Sequence, residues 1–247
     1  MFLSCDIGNS QIKTGLFSED NLVESGIYKD IDEVVSIFSH QDIKYTGISS
    51  VVPQLSKRLA ALLDRESISY HLVSVKSHLN LTIDYKTPLT LGTDRICSAE
   101  GAYYLNDKME KDEIIISVDF GTATTINTIL YPGKFIGGLI APGVNMMGTA
   151  LHSNTAQLPQ VNFSDFESTI GSSTKSSIAS GLINSSLGMI ERVMKFLAMT
   201  YNTQNIKVYL TGGNAEYIIP HIDFKYVYER NLVLYGIKAI ADLNSAA

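Results

Sequence analysis

The sequence predicts an α/β protein of two similar domains, and three observations carry that expectation. An apolar run ending in Asp-x-Gly and a small polar turn occurs twice, from Phe2 to Phe17 and from Ile114 to Thr125, once at the start of each half. Runs of strand character alternate with stretches whose apolar residues recur at helical spacing, as in strands layered against helices. The 247 residues, 45% hydrophobic and 18% charged, supply material for packed cores and show no disorder-prone composition. The charged stretch from Asn106 to Glu113 is the natural boundary, giving domains 1–112 and 113–247.

The second copy shows the chemistry most plainly. Ile114 to Val118 reads as a buried strand, so Asp119 stands at its carboxyl end, where open α/β sheets place ligands. Gly121 permits a sharp turn, and the amides and hydroxyls around Thr122, Thr124 and Thr125 are small enough to approach a phosphate. A carboxylate beside such a turn can hold the cation that travels with the phosphate. A tight hairpin between two core strands would use the same glycine, but the duplication around Asp6-Ile7-Gly8 favours the phosphate reading. A nucleotide lying between two facing domains would then meet one loop from each.

In order, Leu22 to Tyr28 makes a third strand, and Asp30 caps a helix carrying Ile31, Val34, Val35 and Phe38 on one face. Tyr45 to Val52 is strand-like, Pro53 opens a helix with Leu55, Leu59, Leu62 and Leu63, and Tyr70 to Val75 is another strand. Leu81 to Arg95 reads as a polar loop feeding a helix striped by Ile96, Ala99, Ala102 and Tyr103, with Thr93 as N-cap. Asp94 suits the first turn of that helix, whereas Arg95 is mildly unfavourable there unless it serves an anion; a cap with a surface salt bridge is the plainer alternative.

Beyond the central hairpin, Gly137, Gly138 and Gly143 allow a close approach of ligand or strand. Val144 to Leu151 reads as helix, and His152 to Gly171 as a long loop. A helix from Thr174 to about Thr200 follows a lead-in, Gly171 to Thr174, that can cap it or offer hydroxyls to a substrate. Val208 to Thr211 is a strand whose Gly212-Gly213 turn suits a flat ring or an ordinary strand-to-helix connection, and Leu232 to Leu243 is a closing helix.

The net charge of −6 argues against electrostatic binding of nucleic acid or of anionic membranes. No apolar run approaches the roughly 18 residues that span a bilayer, and no leader pattern is visible at the N-terminus. Cys5 and Cys97, both in apolar segments, are expected as buried thiols of a cytoplasmic protein. The histidines at 40, 71, 78, 152 and 221 have no metal-ligand spacing.

Taken in order, Asp6-Ile7-Gly8-Asn9-Ser10, Gly92-Thr93-Asp94-Arg95, Asp119-Phe120-Gly121-Thr122-Ala123-Thr124-Thr125, Gly137 to Gly143, Thr155 to Pro159 and Thr211 to Ala215 resemble type III pantothenate kinase, within the actin, hexokinase and Hsp70-like ATPase superfamily. The Asp-x-Gly loops alone indicate the superfamily; Gly-x-Asp-Arg and the Gly-Gly-x-Ile-x-Pro-Gly segment narrow it. The resemblance implies two ribonuclease H-like domains with mixed sheets flanked by helices and a ligand cleft between them. It also implies ATP-dependent phosphorylation of the primary hydroxyl of pantothenate, the first step toward coenzyme A.

Carried over by position, Asp6, Ile7, Gly8, Asn9, Ser10, Gln11, Ile12 and Lys13 would form the first phosphate loop, with Asp6 near Mg²⁺ and Thr122 a further ATP contact. Asp94 matches the general base. Tyr85, Gly92, Thr93, Asp94, Arg95 and Thr174 match pantothenate-binding positions, and Asp119 matches the ligand of a monovalent cation, potassium or ammonium. Homologues are homodimers. Two positions depart from the family: Asn127 stands where an acidic residue is usual, removing a charge near the cation site, and Ser173 stands where Asn is frequent. The rivals are a regulatory ATP-binding accessory protein, which would need no base, and a superfamily kinase for a sugar or acetate-like acid, which Gly-x-Asp-Arg disfavours.

Overall fold

The computed structural model describes residues 1–38 and 41–245, and of Phe38 the backbone alone; His40 lies outside the described residues. Its contacts divide into two units, 1–110 with 129–137 and 231–247, and 111–128 with 138–230. The first division, after Glu110, lies two residues before the 112/113 boundary expected from sequence, but residues 129–137 and the C-terminal segment, both expected in the second domain, fall in the first unit.

The first sheet is built from β1 (Phe2–Ile7), β2 (Ile12–Ser18), β3 (Asn21–Tyr28), β4 (Tyr45–Ser50) and β5 (Ser69–Leu72), in the order β3-β2-β1-β4-β5. Between its strands lie α1 (Ile31–Phe38) and α2 (Pro53–Arg65). Asp30 accepts from the Asp32 amide at 3.1 Å, the capping role its position suggests, and Pro53 opens α2. A core of Leu3, Cys5, Ile7, Ile31, Val34, Leu59 and Leu63 joins β1 to both helices. β4 and β5 end sooner than expected, because the chain turns away after Ser50 and Leu72 once Val51 and Val73 have each donated one further backbone hydrogen bond.

The chain continues through β6 (Thr82–Ile83), α3 (Thr93–Leu105), β7 (Ile114–Phe120), β8 (Ala123–Leu130), β9 (Lys134–Pro142), α4 (Val144–Ser153), α5 (Thr174–Tyr201), β10 (Ile206–Thr211), α6 (Ala215–Ile218), β11 (Val227–Tyr228) and α7 (Leu232–Asn244). The second sheet has the order β11-β10-β7-β8-β9-β6. Read from the hairpin side, β9-β8-β7-β10-β11 repeats β3-β2-β1-β4-β5. The equivalence extends to register: β1 and β4 are parallel with Asp6 beside Ser49, and β7 and β10 are parallel with Asp119 beside Thr211. The duplication expected from two Asp-x-Gly motifs is therefore one of topology as well.

β6 was not expected from its own sequence; its pairing with Lys134 and Phe135 of β9 makes it a strand. The loop after α4 contains a short 3-10 turn, Phe163–Asp165, capped by Asn162. Cys5 and Cys97 are free and buried, and burial raises both thiols, with Asp6 adding to the shift.

The closing helix α7 packs on α3 through glycines. A Cβ on Gly101 would collide with the Leu232 carbonyl, and one on Gly236 with the Cys97 carbonyl. Backbone therefore meets backbone at this crossing, and α3 is buried without a break from Arg95 to Ala102, wider than the stripe its periodicity suggested. Gly236→Ala is expected to destabilise the protein by about 1–3 kcal/mol, because rigid backbone cannot yield. Gly188→Ala, in α5 with nothing near its Cβ, is expected to stabilise it by about 0.5–1 kcal/mol. Urea denaturation of both variants checks the pair.

Candidate active site

In the first unit, Ile7 pairs with Ile12, so Gly8 to Gln11 form the connection between β1 and β2, closed by the Gly8 amide donating to the Gln11 carbonyl at 3.1 Å. Asn9 and Ser10 are exposed at its tip, and Asp6 lies opposite Lys13. Ser49 Oγ lies 3.2 Å from both Asp6 Oδ1 and Thr93 Oγ1. Thr93 Oγ1 donates to the Ser50 carbonyl at 3.1 Å and accepts from the Ser50 amide at 3.2 Å. Thr93 is thus not the N-cap expected from sequence. Gly92 occupies that place, and the threonine hydroxyl, as the first helical residue, ties α3 to the end of β4.

Asp94 and Arg95 follow in the first turn. Asp94 Oδ1 accepts from the Arg95 amide at 2.9 Å and folds back over Gly92, where any Cβ would strike it. The glycine of Gly-x-Asp-Arg therefore makes room for the carboxylate, which remains partly accessible. Arg95 is only 4% exposed, so it is not the surface cation of the plainer alternative, and its guanidinium packs against aromatic rings. Its guanidinium carbon lies 5.9 Å from the Tyr85 ring centroid and 5.8 Å from that of Phe135, and the two rings meet edge to face at 6.1 Å. A weakly hydrated, delocalised cation tolerates such surroundings. At a helix N-terminus that arrangement favours an anionic ligand.

Tyr85 is carried on the segment that follows β6. The Asp84 amide donates to the Phe135 carbonyl at 2.9 Å, and Lys134 Nζ pairs with Asp84 Oδ2 at 2.7 Å. Buried Glu100, on α3, accepts from the Leu81 amide and from Asn80 Nδ2, each at 3.0 Å. Burial pushes its carboxyl up, and the hydrogen bonds from Asn80 and Leu81 pull it back.

In the second unit, Asp119 nears the end of β7 and the Gly121 amide donates to the Ala123 carbonyl at 3.1 Å, leaving Thr122 exposed at the turn. The turn is braced from two sides. The Gly143 amide donates to the Thr122 carbonyl at 3.0 Å, and Asn214 donates from its amide to the Phe120 carbonyl and from Nδ2 to the Gly121 carbonyl, each at 2.9 Å. Asn145 Nδ2 in turn donates to Asn214 Oδ1 at 2.7 Å. Gly212, with φ +99°, lets β10 turn where a Cβ would strike Asp119 Oδ1, so this glycine is accounted for by the carboxylate; Gly213 faces open space. Asn127 is fully buried and donates to Ser117 Oγ at 3.2 Å, two residues before Asp119 on the same face of β7.

Thr174 is the first residue of α5, which Ser173 caps by accepting from the Ser176 amide. It is exposed and lines a groove of about 1080 Å³ whose walls include Pro142, Met146, Leu151, Ile178 and Leu182 but neither Asp119 nor Thr122. Among the described residues no cluster of three His, Cys, Asp or Glu could hold a metal unaided. Asp6 and Asp119 each offer a single carboxylate at a strand end, a donor set that fits cations arriving with nucleotide phosphates.

Sequence reasoning did not single out Ser49, Phe135, Glu100 or the side chain of Asn214. Of these only Asn214 had a sequence signal, its place in the Thr211 to Ala215 segment that carries the resemblance; Ser49 is marked only by the register that sets it beside Asp6.

A family model described as type III pantothenate kinase matches residues 2–195. The chain belongs to the type III pantothenate kinase family. A member of this family from Chlorobaculum tepidum is 32% identical over 257 residues, covering 98% of this chain and 94% of its own. One from Legionella pneumophila (strain Corby) is 33% identical over the full length of both chains. Among solved structures, a Baf family protein of Campylobacter jejuni superposes with a TM-score of 0.62 at 21% identity over 99% of this chain and 100% of its own. A ROK family glucokinase from Streptomyces griseus superposes at 0.54 and 12% identity over 98% and 99%. These likenesses agree with a two-domain α/β kinase fold.

Asn214→Ala removes the brace on the Gly121 carbonyl. It is expected to weaken ATP binding about three- to tenfold, measured by calorimetry, with the thermal midpoint lowered by a few degrees.

Proposed function

We propose that the chain transfers the γ-phosphoryl group of ATP to the primary hydroxyl of pantothenate, giving 4'-phosphopantothenate and ADP. The observation that carries this reading is the first turn of α3. There a partly accessible carboxylate, Asp94, stands next to a buried cation, Arg95, held between Tyr85 and Phe135. Arg95 and Tyr85 would bind the acidic substrate and orient its hydroxyl. The hydroxyl oxygen forms a bond to the γ-phosphorus as the bond to the β,γ-bridging oxygen breaks, and Asp94 takes the hydroxyl proton late in the transfer.

Gly8 to Lys13 and the Thr122 turn are proposed as the phosphate loops. Asp6 would hold Mg²⁺, directly or through water, and Asp119 would hold potassium or ammonium; these cations supply charge neutralisation to the phosphates. A buried neutral Asn127 near Asp119 lowers the negative charge at that site relative to the family pattern. Thr174 is proposed as a substrate contact. A homodimer is proposed as well, supported by the exposed apolar side chains of Met146 and Leu151 on the groove that Thr174 lines. A cytoplasmic location is proposed on the two free thiols; no helix of the described residues is long and apolar enough to cross a membrane. A purely regulatory ATP-binding role is not favoured, since a sensor needs neither Asp94 nor Arg95.

Asp94→Asn is expected to lower pantothenate-dependent ADP release by about two to four orders of magnitude while ATP still binds; retained turnover would remove Asp94 from the reaction. In the same coupled assay the wild-type rate should be higher in potassium chloride than in sodium chloride. Equal rates would leave the kinase reading intact and withdraw Asp119 as a cation ligand.

A further inference from the structure

The aromatic enclosure of Arg95 is assembled from three separate pieces of chain, and two of them are fastened to the helix that carries Arg95. Phe135 follows the turn after β8, and the carbonyl of Pro132 in that turn accepts from Tyr103 Oη on α3 at 3.0 Å. Tyr85 follows β6, whose approach is fastened by Glu100 on the same helix, through the Leu81 amide and Asn80 Nδ2. Glu100 is 0% exposed. A buried carboxylate that accepts from a backbone amide holds its partner more firmly than a neutral acceptor would. Losing it would leave a buried amide unsatisfied at the start of the strand.

From Leu81 the path to Tyr85 is short and paired throughout. Thr82 and Ile83 stand beside Lys134 and Phe135, and the Thr82 and Asp84 amides donate to the Gly133 and Phe135 carbonyls, each at 2.9 Å. A shift of one residue in a strand reverses every side chain, so a slip at Leu81 would carry Tyr85 away from Arg95. We propose that Glu100 is a positioning residue for substrate affinity: by anchoring Leu81 and Asn80 it sets the register of β6 and thereby holds Tyr85 against the guanidinium of Arg95. This rests on the reading of Tyr85 and Arg95 as the pantothenate-binding pair. The hydrogen bonds of Glu100 go to Leu81 and Asn80, and it takes no part in the phosphoryl transfer.

The test is steady-state kinetics of the full chain with pantothenate and ATP varied separately. Glu100→Gln keeps the shape but replaces the charged acceptor of the Leu81 amide by a neutral one and turns one of its two oxygens into an N–H donor. The expected result is a KM for pantothenate raised about tenfold, with kcat and the KM for ATP within twofold of wild type. Asn80→Ala, at an exposed residue, removes only the side-chain donor and should raise the pantothenate KM about threefold; it carries the test if the Glu100 variant does not fold. A pantothenate KM unchanged in Asn80→Ala and in any folded Glu100→Gln would overturn the proposal. So would a joint shift of kcat and both KM values in the folded variants, which would mean general loosening. Wild-type protein that binds ATP yet shows no pantothenate-dependent turnover would overturn the kinase reading itself, and this proposal with it.

Discussion

The contact on which the first unit depends is the backbone-to-backbone crossing of α3 and α7. Gly101 lies against the Leu232 carbonyl and Gly236 against the Cys97 carbonyl, so the two helix axes approach more closely than any pair of side chains would permit. The approach explains why a helix more than a hundred residues downstream counts with the N-terminal unit. It also makes α3 a fixed reference, because the helix is buried from Arg95 to Ala102 and cannot shift without opening that crossing.

Much of the candidate site is suspended from this one helix. Its first residue is tied by hydroxyl and amide to the end of β4, within one serine of Asp6. Its next two residues present opposite charges, one partly accessible and one enclosed by rings. Further along, Glu100 and Tyr103 hold the two segments that carry those rings. The chemistry asks little of covalent catalysis and much of placement, and a rigid helix with several attachments supplies placement. In the second unit the same task falls to smaller groups: Gly143 and Asn214 fix the carbonyls of the Gly121-Thr122 turn, and Gly212 leaves space for Asp119.

The two sheets reveal both duplication and divergence. Asp6 and Asp119 occupy equivalent strand ends, but their parallel neighbours differ in use. Ser49 turns its hydroxyl to Asp6, whereas Thr211 Oγ1 donates to the Arg230 carbonyl at 3.1 Å. One carboxylate is therefore linked to α3 through a hydroxyl pair, and the other sits against a glycine turn. Equal topology has been adapted to unequal local chemistry.

Most strands and helices and the two Asp-x-Gly turns were legible in the sequence because each is set by local pattern: apolar period, a proline or aspartate at a helix start, a glycine after a carboxylate. The family was legible for the same reason, since its motifs are contiguous. What the sequence could not determine was any role that depends on a partner distant along the chain. Thr93 reads as a cap until β4 supplies a better use for its hydroxyl, and β6 reads as loop until β9 pairs with it. Arg95 reads either as the partner of an anion or as half of a surface salt bridge until Tyr85 and Phe135, ten residues before it and forty after it, pack against it. Glu100 reads as an ordinary helical glutamate until burial and the Leu81 amide give it a task. Local free energy differences at these positions are small, and it was tertiary packing, which alone brings such residues within hydrogen-bonding or van der Waals reach, that decided between them.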